Sequence, residues 1–200
     1  MIFMNPWRRV RASTQIAIDN GVIENMSQLG RVIKSAVKIV YWKCRYGNRF
    51  QTPLIQGFDR LHVELASDAG IRLGERIQNR GTLYMVCGQK GRLLVGAHVF
   101  FNTNSSVACL GRVEIGDYCK FGNNTVIVDH DHNYRNENGE YVIGEITIGN
   151  RVWVGANCTI LRGAHIGDDC VIAAGSVVKS DVPAGTLYCQ KRHAEMTPID

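Results

Sequence analysis

Residues 129–134 read DHDHNY. Two histidines, His130 and His132, alternate there with Asp129 and Asp131, in a region otherwise built from aliphatics, glycines and small residues. An imidazole, with an ordinary pKa of about 6.5, is largely neutral near neutrality and still able to accept a proton. A hydroxyl is a poor nucleophile at that pH. A base that removes its proton as it attacks a carbonyl contributes on the order of a hundred- to ten-thousand-fold. Such a base needs a partner for its other ring nitrogen, and Asp129, Asp131, Glu145 or a backbone carbonyl would serve. The other chemistry open to these residues is metal ligation by His98, His130 and His132, because residues two apart share one face of a strand.

The elements that must position these side chains are legible as a repeat. Aliphatic residues recur at Ile148, Val154, Ile160, Ile166, Ile172 and Val178, each six beyond the last. Glycine follows at Gly149, Gly155 and Gly167, and four residues after the aliphatic come Val152, Cys158, Ala164, Cys170 and Ser176, mostly small. Ile115, Phe121 and Ile127 keep the step; Val95, Phe101, Val107 and Val113 keep it too, before a two-residue slip at Ile115. Six residues make one short strand and one turn, and three such units close a triangular coil of about eighteen residues. Each face then sends one aliphatic inward, and the small residue fits the crowded corner. Between Ile127 and Ile148 the period fails. The intervening DHDHNYRNENGEYVIGEIT is polar and turn-rich, a loop expelled from a rigid stack, where such a scaffold places its chemistry.

Composition narrows the function classes. The hydrophobic and charged fractions, 45% and 20%, are those of an ordinary globular domain. A net charge of +5 is a mild excess that suits an anionic small ligand or a membrane face. No nucleic-acid-binding signature accompanies it, so no nucleic acid partner is expected. The seven cysteines form no CxxC pair, and the first residues lack the apolar core and cleavage site of a signal peptide. The expectation is a cytoplasmic protein whose cysteines act as small apolar residues. Residues 26–44 place Met26, Leu29, Val32, Ile33, Ala36, Val37, Val40 and Cys44 at helical spacing, beside Arg31, Lys34, Lys38, Lys43 and Arg45. This predicts an amphipathic basic helix, ended by Gly47–Asn48, that packs on the main domain or a neighbouring subunit, or rests peripherally on anionic lipid at the inner face of the membrane. The expected organisation is an N-terminal segment 1–60, a coil domain 61–185 with a catalytic loop at 129–147, and a tail 186–200.

The run IGNRVWVGANCTILRGAHIGDDCVIAAGSVVKSDVP resembles the hexapeptide-repeat acyltransferases. The resemblance covers roughly residues 70–185 and is nearest to sugar O-acetyltransferases of the maltose, galactoside, nodulation and capsule type. It implies an all-β fold, a left-handed parallel β-helix preceded by the N-terminal helical segment. It also implies an acetyl-CoA-dependent acetyl transfer to a sugar hydroxyl in surface-polysaccharide (capsule or lipopolysaccharide) biosynthesis, with no metal required. The resembling enzymes carry an F-G-x-N tract eleven residues ahead of their catalytic histidine, and an asparagine in an N-x-N context thirty residues ahead of it. Here FGNN begins at Phe121 and NTN begins at Asn102, so both offsets select His132 as base, with Asn102 positioning the acceptor and His130 as the neighbour that a register slip would choose.

The resemblance further implies a homotrimer with each active site between two prisms, and a sugar or a nucleotide- or lipid-linked sugar as acceptor. Ala156 and Ala174 match positions where the pantetheine arm passes the coil edge, and Trp153 matches a recurrent aromatic. Lys179, Lys191 and Arg192 are the cations for the nucleotide phosphates; Lys179-Ser180-Asp181 stands where relatives have T-K-D, and YCQKRHAEMTP replaces the usual GNPA tail. The rival readings are N-acetyl transfer to an amino or nucleotide sugar, a metal hydratase of the carbonic anhydrase type on the same coil, and a non-catalytic scaffold.

Overall fold

The computed structural model describes residues 26–135 and 140–190, with side chains from residue 29 onward. Helix α1, Met26–Tyr46, precedes a chain made almost wholly of short strands. Face A stacks β1 (Phe50–Gln51), β3 (Gly70–Leu73), β6 (Arg92–Val95), β9 (Arg112–Ile115), β14 (Ile146–Ile148) and β17 (His165–Ile166). Face B stacks β4 (Gln78–Asn79), β7 (Phe100–Phe101), β10 (Lys120–Phe121), β15 (Trp153–Val154), β18 (Val171–Ile172) and β20 (Leu187–Tyr188). Face C stacks β2 (Arg60–Leu65), β5 (Thr82–Cys87), β8 (Ser105–Cys109), β11 (Val126–Val128), β16 (Thr159–Leu161) and β19 (Val177–Val178). Pairing within each face is parallel throughout. The chain visits C, A and B in turn, so this is a parallel β-helix of about six coils with three edges.

The hexapeptide step is what closes the coil. Ile148, Val154, Ile160, Ile166, Ile172 and Val178 are all buried, as are the corner residues Val152, Cys158, Ala164, Cys170 and Ser176. Burying one such Ile or Val contributes roughly 1.5–3 kcal/mol. Partners lie 18 residues apart in the late coils (Ile148↔Ile166) but 22 and 20 apart in the early ones (Ile71↔Leu93, Leu93↔Val113). The two-residue slip at Ile115 has a simple cause: β9 sends both Val113 and Ile115 inward as alternate residues of one strand.

Corner chemistry explains the small residues. The Cys119, Cys158 and Cys170 thiols donate to Gly149, Ala173 and Pro183 carbonyls at 3.0, 3.2 and 3.0 Å, so each links one coil to the next. At the B/C edge Asn104, Asn124 and Asn157 take φ of +60°, +56° and +56°. Asparagine tolerates this region. Their amides form a ladder, Asn104 Nδ2 donating to Asn124 at 3.0 Å and Asn124 Nδ2 to Asn157 at 2.8 Å.

Helix α1 covers the N-terminal end of the stack. Val32, Ser35, Ala36 and Ile39 are buried, and Ile39 joins the core cluster that holds Phe50 and Phe58. Apolar coil ends need such a cap. The first strand of face A is Phe50–Gln51, so the coil begins ahead of the boundary expected at residue 61. No helix among the described residues is long and apolar enough to cross a membrane.

Five of the seven cysteines are buried, and only Cys44 and Cys189 are exposed. A hydrogen bond with Cys87, reinforced by burial, holds the Cys109 thiol above the ordinary thiol range, and burial pushes Cys119 up to about 11. In the native protein a thiol reagent at neutral pH should therefore label two sites rapidly and the other five only on unfolding. Rapid native labelling of all seven would contradict this core.

Candidate active site

The period fails where the chain leaves the C/A edge. Paired residues lie 33 apart across this coil (Val113↔Ile146), against 18 in the next, so fifteen extra residues sit outside the prism. They form a hairpin of β12 (His130–His132) and β13 (Tyr141–Ile143), pairing His130 with Ile143 and His132 with Tyr141. The departure is at Asp129 and the return precedes Ile146, which is already a face A strand residue.

Asp129 pins the root of this hairpin. Its side chain is fully buried, with Oδ1 accepting from the Leu110 N–H and Oδ2 from the Gly111 N–H, both at 2.8 Å. Its Oδ1 also lies 2.9 Å from His130 Nδ1. A carboxylate accepts, so Nδ1 carries a proton, and in the neutral ring the lone pair is on Nε2. Asp131, on the opposite side of the strand, pairs with Arg162 Nε of the following coil at 2.5 Å. Gly163 N–H donates to the Gly144 carbonyl at 3.2 Å. The hairpin is thus tied to the coil before it and the coil after it.

Two of the expected orienting groups are thereby accounted for. Asp129 serves His130, and Asp131 serves Arg162. His132 is exposed, and its ring makes no hydrogen bond among the described residues; it packs at 4.7 Å against the Tyr141 ring. His130 meets the same ring edge-on at 5.2 Å, so both histidines project from one face of the hairpin. The Asp129–His130 pair was not assigned in the sequence, although adjacent Asp and His at the point where a repeat breaks are its visible trace.

The remaining expected residues occupy another edge. Asn102 begins the B/C edge, its Oδ1 accepting from Thr103 N–H at 2.9 Å while its amide nitrogen makes no hydrogen bond among the described residues. Ala156 and Ala174 lie above it on the same edge, and neither backbone N–H has a hydrogen-bond acceptor among the described residues. Small residues are required here, since a Cβ on Gly122 would stand 2.6 Å from Ala156 N. Trp153 projects from face B and is 59% exposed, so it is not packed within its own chain. Lys179 follows β19 and lies exposed at the C/A edge, apart from Ala156 and Ala174. Lys191 and Arg192 lie outside the described residues.

The single chain therefore does not bring Asn102 and His132 together. Face C separates them, and the five residues of β8 span about 16 Å. The metal alternative also finds no support in placement. His98 stacks on Tyr118 at 4.6 Å at the A/B edge, and no three His, Cys, Asp or Glu side chains are grouped to hold a metal ion among the described residues.

If Asp129 is the anchor, Asp129→Ala leaves two backbone N–H groups and His130 without their acceptor. The cost should be about 2 kcal/mol or more in denaturant unfolding. An unchanged midpoint would show that the carboxylate does not hold the hairpin.

Comparison with known proteins finds partial matches. The model of the bacterial transferase hexapeptide family (six repeats) matches residues 145–180. The chain is 37% identical over 96 residues to galactoside O-acetyltransferase of Escherichia coli K12, covering 46% of this chain and 47% of that protein. It is 27% identical over 140 residues to WbbJ of the same organism, a lipopolysaccharide biosynthesis O-acetyl transferase by name, covering 64% of this chain and 71% of that one. Against relatives of higher identity the chain spans less than half of their length. Among solved structures, a hexapeptide-repeat containing acetyltransferase of Vibrio cholerae superposes with a TM-score of 0.50 at 20% identity, covering 90% of this chain and 88% of that one, which speaks to the fold.

Proposed function

We propose that this hexapeptide-repeat chain is an acetyl-CoA-dependent O-acetyltransferase acting on a sugar hydroxyl, in a site assembled between neighbouring protomers. The observation that carries the reading is the placement of Asn102 and the histidine hairpin on the two edges that flank face C. The outward residues of that face in its last four strands, Ser106, Ala108, Val126, Val128, Thr159, Leu161 and Val177, carry no charge. Three prisms turning face C toward a common axis would set each C/A edge against the next protomer's B/C edge. His132 of one chain would then meet Asn102, Ala156 and Ala174 of another. Sharing one site across a closed ring is what cyclic symmetry permits.

In this reading His132 takes the acceptor hydroxyl's proton as its oxygen attacks the thioester carbonyl. The tetrahedral intermediate collapses with cleavage of the C–S bond, and the imidazolium returns the proton to the departing thiolate. The products are the acetyl ester and free coenzyme A. The bare N–H groups of Ala156 and Ala174 suit a pantetheine arm laid along the edge, while exposed Trp153 projects from face B beside His98, Tyr118 and Arg151. The names of the relatives support a sugar acceptor and a role in surface-polysaccharide synthesis. The Asp129–His130 pair favours a second reading, in which His130 is the base and Nε2 its accepting atom.

His132→Ala should lower kcat by about a hundredfold or more while leaving coenzyme A affinity nearly unchanged. His130→Ala should do less, and the reverse order would transfer the role to His130. Neither variant Asn102→Ala nor His132→Ala alone should turn over well. Co-refolded in equal amounts, they should recover about a quarter of wild-type sites if each site joins two protomers in a ring. No recovery in a confirmed mixed oligomer would sink the shared site.

The peripheral membrane contact is also a proposal. Ile33, Val37 and Tyr41 form an exposed row along α1, 38%, 43% and 53% accessible, beside exposed Arg31 and Lys34. Such a helix suits an anionic lipid surface. Sedimentation with vesicles should show binding to anionic but not neutral lipid, reduced by Val37→Asp; equal sedimentation of the variant would count against it.

A further inference from the structure

The C/A edge carries a second feature, directly beneath the hairpin. A groove of roughly 520 Å³ runs from Arg112 toward the N-terminal coils, lined by Arg49, Gln51, Asp68, Arg72, Arg92 and Arg112 among others. Arg92 and Arg112 are direct cross-strand neighbours, and Arg72 projects from β3 beside them. The parallel register stacks Arg92 on Arg112 at about 4.8 Å, while Arg72 pairs with Leu94, two residues further along the face. Repeated like charges at that spacing repel, and nothing in the coil's core requires them.

Carboxylates do not neutralise most of this charge. Arg112 contacts Glu114. Arg49, Arg72 and Arg92 form no ion pair among the described residues. Two of them are held instead by neutral carbonyls: Arg49 donates to Ala66 O at 2.5 Å and Arg92 to Asp68 O at 2.6 Å. Arg72 donates to Gln51 Oε1 at 3.2 Å. The guanidiniums are fixed in place with their charge unspent, which is the preorganisation a bound anion needs. Their planar forks match phosphate oxygens.

Arg112, at one end of the groove, adjoins the root of the hairpin. Gly111, next to Arg112, donates to Asp129, and a Cβ on Gly111 would stand 2.5 Å from Ile143 of β13. A sugar whose hydroxyl meets the hairpin would have Arg112 on the adjoining coil, with Arg92 and Arg72 on the coils below.

We propose that this groove is the subsite for the phosphates of an anionic acceptor, a sugar bearing a phosphate or diphosphate on its anomeric carbon. The inference rests on the acetyl-transfer reading above. Several arginines spread over successive coils exceed what one sugar carboxylate would use, and they fit a diphosphate.

The test uses the full chain, with inorganic pyrophosphate as the binding probe, and with a nucleotide-diphosphate sugar, a polyprenyl-diphosphate sugar in micelles and a free neutral sugar as acceptors. Arg92→Gln and Arg72→Gln should each weaken pyrophosphate binding about tenfold. KM for a diphosphate-bearing sugar should rise similarly, with kcat and turnover of the free sugar little changed. Arg72 is exposed and its one side-chain hydrogen bond among the described residues goes to Gln51, so that variant guards against misfolding. Preference for the nucleotide or the polyprenyl acceptor identifies the source of the diphosphate. Acetyl transfer with equal KM in wild type and variants overturns the subsite and leaves the transferase standing. Pyrophosphate binding that both variants lose, without acetyl transfer to any sugar, overturns the transferase reading instead. Pyrophosphate binding equal in all three proteins overturns the groove.

Discussion

The parallel backbone ladder, which stacks each coil on the previous one at a single strand spacing, is the constraint on which everything else depends. Every inward Ile, Val or Phe sits above its counterpart, as Phe101 does with Phe121 at 4.7 Å. A stack of this kind cannot absorb extra residues along a face, because one residue of slip would turn the aliphatic outward. Additions must leave at an edge. The hairpin therefore marks the edge at which the chain has room for chemistry, and its root is tied down by Asp129 below and by Arg162 and Gly163 above.

Edges rather than faces carry the polar work. The A/B edge is tied by Arg151 to Asp169 at 2.6 and 2.8 Å, and Asn150 holds the Asp168 carboxyl below its usual range. The B/C edge is tied by the asparagine ladder, which gives Asn104 a structural duty and leaves the Asn102 amide nitrogen without a hydrogen bond among the described residues. The C/A edge holds the histidines and, below them, the arginine groove. One stacking rule thus sorts the carboxylate–arginine ties, the asparagine ladder and the histidine hairpin into different columns of the same prism.

Much of the fold was legible because the spacing of aliphatics is a direct image of the coil. The run from Ile148 to Val178 buries as the six-residue step requires. The early coils were harder, since β2 and β5 are six residues long and bury two or three side chains each, which hides the step. The strand Phe50–Gln51 left no mark in the sequence for a related reason: a two-residue strand has no period to read. The cysteines were legible as small apolar residues, but their sulfur-to-carbonyl links across coils were not, because they join positions thirty, fifteen and thirteen residues apart.

The sequence by itself determined that the chain repeats every six residues, that the repeat breaks at DHDHNY, and that His132 and Asn102 stand at offsets resembling those of a family of acetyl-transfer enzymes. Offsets along the chain carry no information about which edge a residue occupies. Only the tertiary structure decided that Asn102 and the hairpin lie on opposite sides of face C, that Asp129 clasps His130 rather than His132, and that Arg49, Arg72, Arg92 and Arg112 share one groove. The physical reason is that each coil returns the chain to the same edge only after some twenty residues. Side chains far apart in sequence become neighbours, and near ones are carried to different edges, according to the closure of the coil.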